Sequence, residues 1–285
     1  MQLGMNLWTL YGWRLPARPD EQAFSALAEM GVRAIELVVD EDANSVENLL
    51  AHQDELQALL NKYNISVPSV ASALFWRYNL GAKDAAVRAH AVDIVEGMCR
   101  VAKAYGAGAV LIVAGQQEAQ TPFIQTWNQA VRSVRQAART AEELGVEIGV
   151  ENVGSNFLNS PGEMARFLDD VNHPNVGVYL DLGNAMSVLN GYPENWCTAL
   201  AGRIVCVHVK DYDRQLRRPV NCGQGNLPWG EVLPVLKACG YDSYLFIETP
   251  PEAPSTFEAG LAAAAESLAG MRPFVPEDVA SAQAG

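Results

Sequence analysis

Helical segments with one apolar face alternate with short apolar segments along most of the chain. Several helical segments end at a glycine, as at Gly31, Gly106 and Gly145, and each is followed by residues rich in Val, Ile and Leu. Glycine adopts the left-handed conformation that closes a helix, so these positions mark helix ends. The apolar segments are predicted strands, and they are Leu3–Leu7, Val32–Val39, Ile65–Val70, Ala109–Val113, Val146–Glu151, Asn175–Asp181, Arg203–Val207 and Tyr244–Glu248.

A helix or a helical region follows each predicted strand. Alternating strands and helices imply parallel strands joined by helical crossovers. Eight such units predict an α/β fold, a closed (β/α)8 TIM barrel over residues 1–271, with residues 272–285 as an extension outside it. The main helices are Glu21–Met30, Val46–Tyr63, Ala85–Tyr105, Ile124–Leu144, Pro161–Asp170, Gly230–Cys239 and a last one that ends near Gly270.

A doubly wound open sheet is the alternative architecture. The chain has no GxGxxG after its first strand and no GxxxxGK[ST] segment. These motifs bind phosphate in nucleotide-binding sheets, and their absence from the sequence favours the barrel.

Composition and charge limit the kinds of molecule that this protein is expected to bind and the compartment in which it is expected to lie. Apolar residues make up 49% of the 285 residues, enough for a large core, but no apolar run is long enough to span a membrane. The N-terminus has neither a basic region nor a cleavable apolar segment, so we expect a cytoplasmic protein. The formal net charge of -13 argues against nucleic-acid binding. The five cysteines lack CxxC spacing and are expected to be reduced.

Polar side chains stand at the carboxyl ends of four consecutive predicted strands. Glu151 and Asp181 end the fifth and sixth strands, His208 follows the seventh, and Glu248 ends the eighth. In a parallel barrel these ends converge at one mouth, where active sites lie. Each residue is about one βα unit from the next, so we expect the four side chains to be neighbours on one rim.

The ligand types at this rim suit a metal ion. Carboxylates and an imidazole, without a thiolate, favour a hard or borderline divalent cation such as Mn²⁺, Mg²⁺, Co²⁺ or Zn²⁺. A cation would also relieve the repulsion between the carboxylates. The alternative is that each carboxylate caps the next helix or pairs with an arginine, and that His208 is a satisfied histidine at a strand end. Because all four residues stand at the ends of consecutive strands, the metal site is favoured over this alternative.

Segments around these positions resemble a known family. His208 and Arg214 form an H-x5-R pattern, residues 157–160 (FLNS) follow Glu151, and residues 181–184 (DLGN) end strand six. The chain is similar here to the sugar-phosphate isomerase/epimerase family of xylose isomerase-like TIM barrels. That family includes the D-tagatose and D-psicose 3-epimerases and the L-ribulose-5-phosphate 3-epimerases. The resemblance covers roughly residues 1–270.

The resemblance implies a cofactor, a substrate class and an assembly. It implies one divalent metal ion, with Mn²⁺ as the first expectation, bound by Glu151, Asp181, His208 and Glu248. It implies that Glu151 and Glu248 also move protons on either side of a sugar. The substrate would be a small-molecule sugar or sugar phosphate, and the protein a homodimer or homotetramer.

Two positions bear on the substrate through this resemblance. Arg214 matches an arginine that contacts substrate oxygens in the free-ketose epimerases. Those enzymes carry His where Asn184 stands, whereas the pentulose-phosphate epimerases resemble this chain there. Both residues are therefore candidate substrate contacts, and the phosphorylation state of the substrate stays open.

Further substrate-contact candidates carry weaker signals. Glu36, near the end of strand two, either holds a substrate hydroxyl or forms a buried ion pair. Lys210 faces the same way as His208 because side chains alternate along a strand. It either steadies a substrate oxygen or balances the charge of Glu248.

Aromatic and basic residues flank the predicted mouth. Trp8 and Trp13 follow strand one and either wall the sugar site or pack in the core. Arg214, Arg217 and Arg218 cluster in the loop after strand seven. They either hold a phosphate or carboxylate through bidentate hydrogen bonds or form a solvated loop or an oligomer contact.

This chemistry predicts a divalent-metal-dependent ketose or ketose-phosphate 3-epimerase or isomerase. Removal of a proton next to a ketone leaves an enediolate, which a cation stabilises while carboxylates on opposite faces exchange protons. The same groups would serve a dehydratase or lyase acting on a keto-sugar or an inosose-like substrate. A barrel that binds a sugar without turnover is a third hypothesis.

Overall fold

The chain closes a barrel of eight parallel strands, and a two-stranded hairpin lies outside it. The structure, a computed structural model, describes residues 1–12, 15–16, 20–189, 191–249 and 256–275. In chain order the strands are β1 (Gln2–Asn6), β2 (Ala34–Val39), β3 (Ser66–Ser72), β4 (Ala109–Ile112), β5 (Glu147–Glu151), β6 (Val176–Asp181), β7 (Ile204–Val209), β8 (Asp211–Asp213), β9 (Arg218–Val220) and β10 (Tyr244–Ile247).

The barrel is closed by β1, which pairs in parallel with β2 on one side and with β10 on the other. The order around the barrel is β1-β10-β7-β6-β5-β4-β3-β2, and β8 pairs with β9 in the antiparallel hairpin. The predicted (β/α)8 barrel is therefore confirmed, and the open sheet is excluded. The hairpin was not predicted, because its strands are only three residues long, which is too short for a periodic signal.

Helices follow the strands and pack around the barrel. They are α1 (Trp8–Tyr11), α2 (Glu21–Glu29), α3 (Val46–Ala51), α4 (Gln53–Lys62), α5 (Ala85–Tyr105), α6 (Phe123–Leu144), α7 (Pro161–Val171), α8 (Leu182–Met186), α9 (Pro193–Ala199), α10 (Trp229–Ala238) and α11 (Phe257–Met271), with a 3-10 turn at Leu74–Trp76.

Local sequence signals account for many of these boundaries. Gly106 and Gly145 close α5 and α6 in the left-handed conformation, with φ of 74° and 69°. Ser160 caps α7 by accepting a hydrogen bond from the Glu163 backbone N–H. The prediction of one helix over Val46–Tyr63 was wrong, because the chain breaks at His52 between α3 and α4.

The core surrounds the strands on both faces, as expected for a parallel sheet covered by helices. All six residues of β2 are buried, and its neighbours are similarly enclosed. The chain segment after α11 packs on the barrel as far as it is described, since Val275 is buried and the Arg272 guanidinium donates to the Met30 carbonyl. In the described part of the chain, no helix is both long and apolar enough to cross a membrane.

Candidate metal centre

The predicted ligands lie together at the carboxyl end of the barrel. Glu151 ends β5, Asp181 ends β6, His208 lies on β7 and Glu248 directly follows β10. One potential ligand atom from each of these residues lies within 4.8 Å of the others. Asp181 and His208 are opposite each other in the β6–β7 register, which explains their proximity. Both are wholly buried, and the two glutamates are nearly so.

The donor set fits a divalent cation. The Nδ1 atom of His208 has no hydrogen-bond partner among the described residues. It lies 3.7 Å from Glu248 Oε2 and 4.0 Å from Glu151 Oε1. A buried nitrogen without a partner, directed at carboxylate oxygens, is the arrangement that a shared cation would satisfy.

Lys210 supplies a positively charged side chain to this cluster. Its ammonium group lies 2.6 Å from Asp181 Oδ2 and also hydrogen-bonds to Glu248. The side chain therefore balances carboxylate charge, which was one of its two predicted roles. It also lines the cavity at the barrel mouth.

The charges of these side chains shift their proton affinities strongly. Burial, together with the neighbouring Glu248 and Asp181 carboxylates, raises the pKa of Glu151 to about 8. Burial by itself would lower the pKa of His208, but the Glu36 and Glu248 carboxylates outweigh it and raise that pKa to about 10. The protein groups alone thus favour protons at both positions, and a cation would compete with those protons.

Glu36 does not line the cavity, which favours the predicted buried ion pair over a contact with a substrate hydroxyl. Its carboxylate is completely buried beneath the candidate metal ligands, and Oε2 lies 2.6 Å from His208 Nε2. Glu36 is the buried partner of the His208 imidazole. This arrangement is close to the buried ion pair that the sequence analysis gave as the alternative. The Glu36 side chain extends from β2 into the barrel interior. Because the barrel is closed, this side chain meets the His208 side chain of β7, although β2 and β7 are not adjacent strands.

The other predicted substrate contacts divide between the cavity and the surface. Trp8 and Asn184 line the cavity, and the Asn184 amide donates to Glu151 Oε1 at 3.2 Å. Arg214 is exposed on the β8–β9 hairpin and does not line the cavity. The other hairpin arginines, Arg217 and Arg218, are also exposed. Trp13 lies outside the described residues.

Two buried polar residues that sequence reasoning missed support the site. Asn152 holds the end of β6: its amide donates to the Asp181 carbonyl at 2.9 Å and accepts from the Asp181 N–H at 2.6 Å. Asp211 holds the loop after β9 by accepting from the Leu227 N–H at 2.9 Å and the Trp229 indole at 3.1 Å. Their positions next to predicted strand-end residues were the available signal.

The ionisable side chains that line the cavity come from the second half of the chain, whereas the lining from the first half is largely apolar. The volume of the cavity is about 270 Å³, which suits a small molecule. Glu151, Lys210 and Glu248 lie on the side formed by β5, β7 and β10. Ala73 and Trp76, which follow β3, contribute apolar surface to the cavity. Leu111 in β4 and Val113 directly after it do the same.

This barrel and its rim of carboxylates and imidazole define the class of protein. The chain belongs to the xylose isomerase-like TIM barrel family, whose model matches residues 24–273. The resemblance found in the sequence is therefore confirmed.

Particular relatives are sugar epimerases. The chain is 25% identical over 222 residues to the L-ribulose-5-phosphate 3-epimerase UlaE of Escherichia coli O157:H7, covering 77% of this chain and 78% of that protein. The fold is also similar to that of an L-ribulose 3-epimerase, with a TM-score of 0.79, 19% identity and coverage of 96% and 95% of the two chains. A D-psicose 3-epimerase from Clostridium cellulolyticum H10, solved with D-tagatose, gives a TM-score of 0.78 at 18% identity and covers 96% of this chain and 98% of that chain.

Proposed function

We propose that this protein is a divalent-metal-dependent ketose or ketose-phosphate 3-epimerase or isomerase. The observation that carries the proposal is the cluster of Glu151, Asp181, His208 and Glu248, whose ligand atoms lie within 4.8 Å of one another at the barrel mouth. The epimerase relatives support it, and the chain is an enzyme of their broad type.

The proposed reaction requires charge stabilisation and two proton-transfer groups. A divalent ion held by these four side chains would supply Lewis acidity for the negative charge that develops on the oxygens of a 2-ketose when the C3 proton leaves. Mn²⁺ is the ion we propose, because carboxylate and imidazole ligands suit it.

Glu151 and Glu248 are the proposed proton-transfer groups. They stand on β5 and after β10, with β6 and β7 between them, so they approach a substrate from different sides of the site. One carboxylate takes the C3 proton, and the other group returns a proton to the opposite face, which inverts the carbon. Which glutamate takes the proton depends on the configuration at C3 of the substrate. Glu248 also accepts a hydrogen bond from the Lys210 ammonium group.

Asn184 and Trp8 complete the proposed substrate site. The Asn184 amide donates to Glu151, which orients that carboxyl group toward the cavity. Trp8 lines the same cavity and helps to exclude water from the reacting atoms. Arg214 is exposed on the β8–β9 hairpin, and its contact with a substrate stays a prediction.

Solvent exchange tests this proposal. The protein loaded with Mn²⁺ is incubated in deuterated water with 2-ketopentoses, 2-ketohexoses and their phosphates. We expect loss of the C3 proton signal and appearance of the C3 epimer by NMR, and neither in protein treated with a chelator. Metal analysis that finds no bound ion, with no exchange across the panel, would exclude the function. Growth of ultraviolet absorbance from a conjugated enone would instead indicate a dehydratase.

A further inference from the structure

We propose that Glu36 is a positioning residue for the metal centre, and that it selects Nδ1 of His208 as the metal-binding atom. This inference rests on the proposed metal-dependent function. It is argued from the hydrogen bonds of Glu36, whose partners together with Glu36 itself lie on five different strands.

The Glu36 carboxylate accepts a hydrogen bond at each of its available positions. Oε1 accepts from the Ser69 hydroxyl at 2.8 Å and from the Tyr179 hydroxyl. Oε2 accepts from the Asn6 amide and faces His208 Nε2 at 2.6 Å. All these residues are completely buried. Their strands are β1, β2, β3, β6 and β7, so the network crosses the barrel interior.

This network determines which imidazole nitrogen keeps its proton when a metal ion binds. Three neutral donors occupy three of the four acceptor positions of the carboxylate, and the fourth, on Oε2, faces His208 Nε2. An ionised Glu36 can only accept at that position, so Nε2 keeps its hydrogen. The nitrogen that remains for a cation is Nδ1, which faces Glu151 and Glu248.

The same contacts hold the imidazole ring in place. The Tyr179 ring meets His208 edge-on, with ring centres 4.6 Å apart. Glu36 holds the far side of the ring at Nε2. A histidine that ligates a metal through one nitrogen commonly donates its other N–H to a carboxylate, which orients the ring. A carboxylate is otherwise costly to bury at this depth, which is an argument against a role in packing alone.

Two variants of the same network separate positioning from stability. Glu36→Gln keeps the size of the side chain but turns half of it into a donor that opposes the surrounding donors. We expect the Kd for Mn²⁺, measured by titration calorimetry, to rise by about 10- to 100-fold. Tyr179→Phe is the matched control, because it removes one hydrogen bond to Glu36 and leaves the Glu36–His208 contact. We expect its Kd to rise much less than that of Glu36→Gln even though its stability falls.

Glu36→Asp and the wild-type protein give independent readouts. Glu36→Asp retains a carboxylate and should recover part of the affinity that Glu36→Gln loses. In the wild type, Zn²⁺ is added as a diamagnetic probe, and 15N NMR of His208 should show the large shift at Nδ1 while Nε2 stays protonated. This spectrum shows which nitrogen of His208 binds the metal ion even if Glu36→Gln does not fold.

The possible results are distinct. A shift at Nε2, an unchanged Kd in Glu36→Gln, or equal affinity losses in Glu36→Gln and Tyr179→Phe would overturn the proposal. If the Glu36 effect is found but no ketose exchanges its C3 proton, the proposed reaction fails while the role of Glu36 stands. If exchange occurs and Glu36→Gln binds Mn²⁺ normally, the reaction stands and the role of Glu36 fails.

Discussion

Lys210 Nζ lies 2.6 Å from Asp181 Oδ2, and the same ammonium group hydrogen-bonds to Glu248. One side chain thus occupies oxygens of two of the four candidate ligands. A metal ion that binds here must compete with the ammonium group for those oxygens. Lys210 therefore stabilises the carboxylate cluster of the protein alone and opposes, to some degree, the entry of a second cation.

Lys210→Met should separate these two effects. Loss of one partner from a buried ion pair costs about 3–5 kcal/mol, so the free energy of unfolding in the presence of a chelator should fall by that amount. The affinity for Mn²⁺ should rise, because the competing charge is gone. Denaturation with and without metal, together with calorimetry, measures both quantities. Lys237→Met is the control: its ion pair with Asp242 is exposed, and it should cost at most about 1 kcal/mol. A weaker affinity for Mn²⁺ in Lys210→Met would contradict this account.

Glu151→Gln and Glu248→Gln should each slow C3 proton exchange by about 10²- to 10⁴-fold, since each removes one proton-transfer group. Exchange rates in deuterated water, measured at saturating Mn²⁺, test this. Glu147→Gln makes the same chemical change at the other, exposed end of β5 and should leave the rate unchanged. If either cavity variant keeps the wild-type rate, that glutamate has no part in proton transfer.

Metal binding should release protons near neutral pH. The pKa values of Glu151 and His208 are raised to about 8 and about 10, so in the protein alone both groups are protonated at pH 7. Metal ligands must lose those protons, and affinity should therefore increase as the pH rises toward 8. Calorimetry in buffers of different ionisation enthalpy should detect about one to two protons released per ion at pH 7. An affinity that is constant between pH 6 and 8 would refute the prediction.

Gly183→Ala should disturb the cluster through Lys210. A Cβ atom at position 183 would lie 2.7 Å from the Lys210 carbonyl oxygen and would also collide with the Lys210 side chain. Overpacking of this kind costs about 1–3 kcal/mol, and exchange activity should fall with stability because the ammonium group is displaced. Gly162→Ala is the matched control, since its Cβ would meet no atom closer than Ser160 Oγ at 4.0 Å. Thermal melting and exchange rates compare the two variants, and equal behaviour would rule out the steric explanation.

The barrel could be predicted from the sequence because its signals are local. Gly106 and Gly145 close helices where the chain needs a left-handed residue, and an apolar strand follows each. The proximity of Asp181 and His208 follows from the same repeat, since adjacent parallel strands place their carboxyl ends side by side. Which residues bind metal and move protons stays a prediction.

Contacts across the barrel could not be predicted in this way. Glu36 and His208 are 172 residues apart in sequence, and their strands are not neighbours in the sheet. Their contact depends on barrel closure and on how far each side chain reaches into the interior. The break at His52 and the hairpin that carries Arg214 arise from tertiary packing and short-range turns, which leave no periodic signal.

The uneven lining of the cavity has a consequence for how such a barrel can diversify. Its ionisable groups come from the second half of the chain, whereas Leu111 and Val113 belong to the first half. Recombining the first-half loops with those of a relative would therefore change the shape offered to a ligand without replacing the reactive groups. Such a chimera would have to retain Glu36, because that residue of the first half is hydrogen-bonded to the histidine of the second.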